Sequence, residues 1–283
     1  MDQAGAGELV WVNGQRGAGV DARDRGLAYG DGLFETMRFG PRGIALLPYH
    51  LRRLQTGCAR LSIGIDPVQI RQELELALAV AIAGQPGGVL KLIVTRGSGG
   101  RGYRASGVHG PTRVLIASPL PGHPPEWNRD GVSVRYCELR LGASPALAGL
   151  KHLNRLEQVM ARAEWDDPDI AEGLLCDTRG RIVEGVSTNL FLVSGGRLLT
   201  PAIEHCGVAG VLRQYLLEEG LRAIGLSASE VACERGMLGG AQELFLCNSV
   251  VGIWPIRQLA GRRLPVGPLT QRIRSHVDEL FAT

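Results

Sequence analysis

Only two of the 31 basic side chains are lysine, Lys91 and Lys151; the rest are arginine. Arginine stays protonated, whereas a lysine ammonium can lose its proton when desolvated or set beside another cation, and the free amine then condenses with carbonyl compounds as a Schiff base. The count alone supports two readings: amine chemistry that arginine cannot perform, or two ordinary lysines left by an arginine-biased composition. Lys151 stands at a loop-to-helix junction, in Leu150-Lys151-His152-Leu153-Asn154-Arg155. Lys91 lies inside the strand-like run Val89-Leu90-Lys91-Leu92-Ile93-Val94-Thr95, where a lysine lays its stem along apolar neighbours and keeps its ammonium in water.

Anion handling is the second chemistry on offer. Arg96-Gly97-Ser98-Gly99-Gly100-Arg101-Gly102-Tyr103-Arg104 combines four glycines with three arginines, which suits a loop presenting amides and guanidinium forks to carboxylates. It lacks the G-x-x-x-x-G-K-[ST] pattern of a nucleotide loop, and a mobile hairpin tip is the plainer alternative. Gly207-Val208-Ala209-Gly210-Val211-Leu212-Arg213 is a glycine turn opening a helix, whose first amides and positive dipole end favour an anion. Arg52 and Arg53 are adjacent on an amphipathic helix and therefore about 100° apart, so one can face inward while the other is solvated. Glu184 closes a strand just before the small, polar stretch Gly185-Val186-Ser187-Thr188-Asn189, and the run Glu243–Cys247 delivers Asn248 and Ser249.

The elements that must carry these residues are legible from periodicity. Leu9–Val12 followed by Asn13-Gly14 predicts a strand entering a type I′ hairpin, and Leu33–Phe39 alternates as a strand does after the three glycines of 24–32. Pro48 opens a helix with Leu51, Leu54, Cys58 and Leu61 on one stripe; Asp66-Pro67 caps a second with Ile70, Leu74, Ala77, Leu78 and Ala81 inward. Strands follow at 89–95 and 112–118, then four prolines within 119–125. A strand at 131–139 leads to Lys151, after which Leu153, Leu156, Val159, Met160 and Ala163 form a helical apolar face. Two hairpins, the helix from Val211, two strands from Glu243 and Val250, and a last helix from Pro268 complete the chain.

At 283 residues the length favours two compact units, read as a smaller N-terminal domain at 1–118, a proline-rich linker at 119–128 and a larger domain at 129–283 carrying Lys151. A net charge of +3 with dispersed arginines implies no nucleic-acid surface. Met1–Gly7 lacks a basic segment followed by an apolar run, and no stretch is long and apolar enough to span a bilayer, so the expectation is a cytoplasmic protein with no membrane partner. Six scattered cysteines without a C-x-x-C pair give no metal framework and read as buried free thiols.

Tyr29–Glu35, His50–Leu54, Arg96–Tyr103, Leu147–Gln158, Glu184 with Thr188–Phe191, and Gly207–Arg213 together resemble the fold-type IV pyridoxal-phosphate enzymes, the branched-chain and D-amino-acid aminotransferase group, nearly end to end. The resemblance implies an α+β, two-domain fold: an N-terminal α/β sandwich and a larger β-barrel-like domain with helices. It implies pyridoxal 5'-phosphate as cofactor, with Lys151 as the Schiff-base lysine, Arg53 as a phosphate ligand and Glu184 facing the pyridine nitrogen. By the same match the Val211 and Leu212 amides and the Ser249 hydroxyl would bind phosphate, and Arg101, Tyr103 and Arg38 would be substrate-side groups. The Arg-Gly-Ser-Gly-Gly-Arg-Gly-Tyr and Lys-His-Leu-Asn-Arg-Leu-Glu-Gln runs are similar to the branch that cleaves 4-amino-4-deoxychorismate to 4-aminobenzoate and pyruvate for folate synthesis. Glu35 is shared with the aminotransferase pattern, so a branched-chain or D-amino-acid aminotransferase is the alternative on the same scaffold. A homodimer is implied in either case.

Overall fold

The computed structural model describes residues 8–108 and 110–282; the reading of Met1–Gly7 lies outside them. The chain divides into two compact units, the first ending at Pro121 but also taking in Lys151–Asn154 and the end of the last helix from Phe281, the second formed by Gly122–Leu150 and Arg155–Leu280. The lysine segment thus groups with the first unit, whereas the sequence reading carried it in the second.

In the first unit, β1 (Leu9–Val12), β2 (Gln15–Arg16), β3 (Gly32–Gly40), β4 (Gly43–Ile44), β5 (Gly88–Thr95) and β6 (Thr112–Ser118) form an antiparallel sheet in the order β2-β1-β6-β5-β3-β4. The Asn13-Gly14 turn has φ of 51° and 78°, the left-handed pair that a type I′ hairpin requires. Alternation along β3 buries Leu33, Glu35, Met37 and Phe39 and leaves Phe34, Thr36 and Arg38 half-buried on the other face. Helix Leu47–Arg60 packs over β3 and buries Leu51, Leu54 and Cys58; helix Pro67–Gly84 packs against β6 and buries Ile70, Leu74, Ala77 and Ala81. The second helix starts where the sequence places it, because Asp66 Oδ1 accepts the Val68 N–H at 2.9 Å and Pro67 has no amide to satisfy. Asp66→Ala is expected to lower unfolding free energy by about 1 kcal/mol, measured by denaturant titration; an unchanged midpoint would mean that water caps this helix as well as the carboxylate does.

The second unit holds a nine-stranded mixed sheet: β7 (Val132–Leu141), β8 (Ile170–Asp177), β9 (Ile182–Gly185), β10 (Asn189–Ser194), β11 (Arg197–Pro201), β12 (Ala228–Val231), β13 (Glu243–Asn248), β14 (Gly252–Leu259) and β15 (Arg262–Arg263). The order is β12-β11-β10-β13-β14-β7-β8-β9, with β15 on β14. The pairs β11–β12, β14–β7 and β7–β8 are parallel and the others antiparallel. Leu174, Leu190, Leu192, Leu244, Leu246 and Ile256 form part of its core, and Phe191 and Phe245, direct cross-strand partners, stack at 5.0 Å. Both predicted hairpins, the glycine-led helix at Val211 and the final helix Pro268–Phe281 are present.

One expected apolar face is corrected. The helix after Lys151 spans only Leu156–Arg162, and Leu156 (75% exposed), Val159 and Met160 lie at the surface of the chain, with Ala161 buried instead. Leu153 stays out of the helix because its amide is used in pairing with β3. All six cysteines are buried free thiols, as read from their spacing. Among the described residues no helix is long and apolar enough to cross a membrane. The architecture is the α+β, two-unit one that the sequence implies.

Candidate active site

Lys151 is positioned by backbone pairing. The leading half of β3 has β5 on one side, while on the other β4 reaches only Phe39 and Gly40. That open edge is taken by the lysine segment: the Phe34 N–H donates to the Lys151 carbonyl at 2.9 Å, the Leu153 N–H donates to the Gly32 carbonyl at 3.0 Å, and Leu33 and His152 form an antiparallel bridge. The Asn154 side-chain amide adds a bond to the Gly30 carbonyl at 3.2 Å. Gly30 has φ of 64° and a Cβ there would come within 2.5 Å of Asn154 Oδ1, so glycine is required at this close approach. Lys151 is half-buried, its Nζ 4.3 Å from the Phe34 ring centroid. Lys91 Nζ lies 5.4 Å from the same ring, so both lysines of the chain meet one aromatic side chain rather than only open water.

On the opposite, buried face of β3, Glu35 receives Arg53 along one edge, Nε to Oε1 at 2.8 Å and Nη2 to Oε2 at 2.6 Å. His50 Nδ1 stands 2.6 Å from Oε2. Burial alone would push the Glu35 carboxyl up, but the Arg53 charge and the bonds from His50 and Arg53 outweigh it and hold it at about 2. Burial lowers the His50 imidazole below its ordinary value against the pull of Glu35. With Glu35 an ionised acceptor, Nδ1 is the nitrogen that donates. Arg52 points outward and lies over the Tyr49 ring at 4.5 Å. The sequence allowed one arginine to face inward with the other in solvent; Arg53 is the inward one and Arg52 the exposed one.

The glycine loop is anchored by residues that sequence reasoning passed over. Arg25, buried on the short helix Arg25–Tyr29, donates to the Gly102 carbonyl at 2.9 Å, the Tyr103 carbonyl at 3.0 Å and Asp31 at 2.9 Å. Arg96 grips Asp31 with two bonds and reaches the Leu61 and Ser62 carbonyls. A charged pair inside the glycine run Asp24–Gly32 was the available signal. Arg101 and Tyr103 are exposed, Tyr103 at 89%, its ring 5.6 Å from Tyr29. Arg38 is half-buried with its guanidinium 4.9 Å from the Phe281 ring, on the Phe34 face of β3.

In the second unit Glu184 is buried at 4% exposure on β9, opposite Leu175 of β8. Its Oε2 accepts the Val208 N–H at 2.9 Å. Gly207, at φ of 86°, is held by its carbonyl to the Gly149 amide at 2.9 Å, and a Cβ on it would come within 2.7 Å of Val183. Gly210 ends the turn: Asn189 Nδ2 bonds the Val208 carbonyl at 3.0 Å, and a Cβ on Gly210 would overlap Asn189 Oδ1. The helix from Val211 has no side-chain cap hydrogen bond at its start, where the first amides of a helix lack intrahelical partners. Asn248 Oδ1 accepts the Val250 and Val251 amides at 2.9 Å each and its Nδ2 donates to the Ser187 carbonyl at 3.2 Å, shaping the turn on which half-buried Ser249 sits. Asn248 therefore works as a turn former.

Glu172 was missed. It is 2% exposed on β8 and accepts from Ser187 Oγ at 2.7 Å, the Ser187 amide at 3.1 Å, Thr188 Oγ1 at 3.2 Å and the Gly173 amide at 3.1 Å, fastening the turn that follows Glu184. Burial pushes its carboxyl up against those four donors. A charge near the start of a strand that is otherwise apolar up to Asp177 was its sequence signal.

The first unit offers a half-buried amine and an inward arginine, and the second a buried carboxylate and a helix start without a side-chain cap. Residues 32–259 match the family model for amino-transferase class IV. A curated aminodeoxychorismate lyase from Vibrio harveyi is 33% identical over 95% of this chain and 100% of its own length. The crystal structure of 4-amino-4-deoxychorismate lyase from Pseudomonas aeruginosa is 48% identical with a TM-score of 0.90, covering 96% of this chain and 98% of that one. A hypothetical aminotransferase from Mycobacterium tuberculosis in its PLP-bound form is 25% identical with a TM-score of 0.84, over 96% and 98% of the two chains. The chain belongs to the class IV aminotransferase family.

Proposed function

We propose that this chain is a pyridoxal 5'-phosphate-dependent lyase that converts 4-amino-4-deoxychorismate to 4-aminobenzoate and pyruvate, supplying a folate precursor as a cytoplasmic homodimer. The observation that carries the reading is Lys151: its backbone is tied to the edge of β3 while its amine lies over Phe34, in a chain 48% identical to a structurally known lyase of this name. The residues fit the cofactor on chemical grounds. Lys151 offers the amine that an aldehyde takes up, buried Glu184 an anion for a protonated pyridine nitrogen, and Arg53 with the uncapped Val211 and Leu212 amides and the Ser249 hydroxyl a set of donors for a phosphate.

Bound pyridoxal phosphate supplies the electron sink for charge developing at substrate C4. With the cofactor held by these residues, the Lys151 amine would take the C4 proton and return it to the leaving oxygen; the C3–O bond would break, the enol of pyruvate would depart and ketonise, and the ring would become aromatic. Arg101, Tyr103 and Arg38 are the groups assigned to the substrate side. The test is incubation of the purified protein with aminodeoxychorismate while 4-aminobenzoate and pyruvate are followed. Equal amounts of both are expected. Transaminase turnover is the second reading, favoured by the similarity to the Mycobacterium tuberculosis aminotransferase. Pyridoxamine phosphate formed from a branched-chain or D-amino acid, with no 4-aminobenzoate from aminodeoxychorismate, would replace the lyase reading with it.

Arg53→Ala is expected to weaken cofactor retention by about 10- to 150-fold, the loss of a charge-assisted contact of about 1.5 to 3 kcal/mol. Arg52→Ala, which removes an exposed side chain stacked on Tyr49, should leave retention near the parent value. Equal losses, measured by dialysis against increasing buffer volumes, would reject the assignment of Arg53 as the phosphate contact.

A further inference from the structure

We propose that Glu35 is a positioning residue that acts through Arg53, fixing the plane of its guanidinium and thereby setting how strongly the phosphate of a bound ligand is held. This rests on the reading of Arg53 as a phosphate contact. The geometry is a relay of three side chains on the buried face of β3, with exposures of 0% for His50, 2% for Glu35 and 9% for Arg53. His50 Nδ1 anchors Glu35 Oε2 at 2.6 Å, and the carboxylate then takes Arg53 along its Nε–Nη2 edge at 2.8 and 2.6 Å. A guanidinium is planar, so two bonds along one edge fix the direction of the opposite edge, and a long side chain that would otherwise sample many rotamers is held in one.

This placement separates Glu35 from substrate chemistry. Strand alternation directs it away from the Phe34 face, where the Lys151 amine lies, so the resemblance of Glu35 to the aminotransferase pattern carries a bracing role and not a substrate contact. Two effects of Glu35 on an incoming phosphate oppose each other: its charge repels the anion, and its geometry orients the arginine. A variant that keeps the charge and changes the reach isolates the second. Glu35→Asp does this, drawing the carboxylate back by about 1.5 Å, one carbon–carbon bond.

The experiment uses full-length protein stripped of cofactor and retitrated with pyridoxal phosphate and, separately, with pyridoxal. The ratio of the two dissociation constants reports the phosphate contribution alone, which a general loss of structure would not move selectively. Glu35→Asp is expected to reduce that ratio about 10-fold with pyridoxal binding held within about twofold. Arg53→Lys, which keeps the cation and loses the fork, should reduce it similarly, and the double variant should bind no worse than Arg53→Lys alone, since both act through one contact. An unchanged ratio in Glu35→Asp with a reduced one in Arg53→Lys overturns the positioning role and leaves the phosphate reading standing. Losses that multiply in the double variant, or equal losses for both ligands, also overturn it. A parent ratio in Arg53→Lys instead removes Arg53 from the phosphate site, and the positioning role falls with it. Should Glu35→Asp not fold, His50→Phe frees the carboxylate from behind, and a ratio equal to the parent's then overturns the proposal.

Discussion

Lys151→Ala is expected to lower turnover of aminodeoxychorismate by about four orders of magnitude, the upper end of what a single general base contributes, while leaving the fold in place. The second half of that statement follows from the backbone. It is the Lys151 carbonyl that accepts the Phe34 amide, and the neighbouring Leu153 amide that bonds Gly32, so an alanine keeps every bond that ties the segment to β3. Borohydride reduction of the cofactor-loaded parent followed by peptide mapping should place the label on Lys151, and the variant should take none. The comparison with Lys91 is a stringent internal control, because its Nζ shares the Phe34 ring at 5.4 Å against 4.3 Å for Lys151. A label on Lys91 in the parent would transfer the amine role to the other lysine.

Glu184→Gln should slow turnover by about two to three orders of magnitude, about 3 to 4 kcal/mol of barrier, with the cofactor still bound. The link to the turn can survive the change: the amide oxygen of glutamine can accept the Val208 N–H that Glu184 Oε2 accepts at 2.9 Å, and the turn at Gly207 keeps its bond to Gly149. What is lost is the anion that favours a protonated pyridine nitrogen, and with it the stabilisation of charge at C4. The measurement is turnover at saturating cofactor, with cofactor occupancy read by absorbance in the same sample. A fully loaded variant working at the parent rate would remove Glu184 from the chemistry and weaken every role carried over with it.

The fold was legible where local rules decide it. The Asn13-Gly14 turn, the Asp66-Pro67 helix start, the alternation of β3 and the paired hairpins of the second unit each follow from residue chemistry within a few positions. Lys151 stood out by scarcity; the offset of Arg52 from Arg53 allowed either one to face inward, and only the family resemblance chose Arg53. For Arg25 and Glu172 the charge was visible in the sequence but its distant partner was not. Nothing local to Arg25 indicates that it reaches the Gly102 carbonyl 77 residues away, and Glu172 binds hydroxyls on a turn 15 residues on. The stripe Leu156, Val159 and Met160 reads as an inward face by its period, yet the segment before it is claimed by a strand edge, and the helix that remains leaves those side chains exposed. Tertiary pairing overrode a correct periodicity there.

The strand edge that receives Lys151 also sets an order of events during synthesis. Asn154 and its partner Gly30 lie 124 residues apart in the chain, and the bonds from Lys151 and Leu153 to β3 close loops of similar length. At the usual pace of about 5 to 20 residues per second, β3 and β5 leave the ribosome several seconds before the segment that finishes their edge. Until then the Phe34 amide and the Gly32 carbonyl face water as an open edge, one that other strands could borrow. The Lys151 amine is put in place by the same late pairing that closes this edge, so a nascent chain too short to reach Asn154 has an unfinished sheet and no placed lysine.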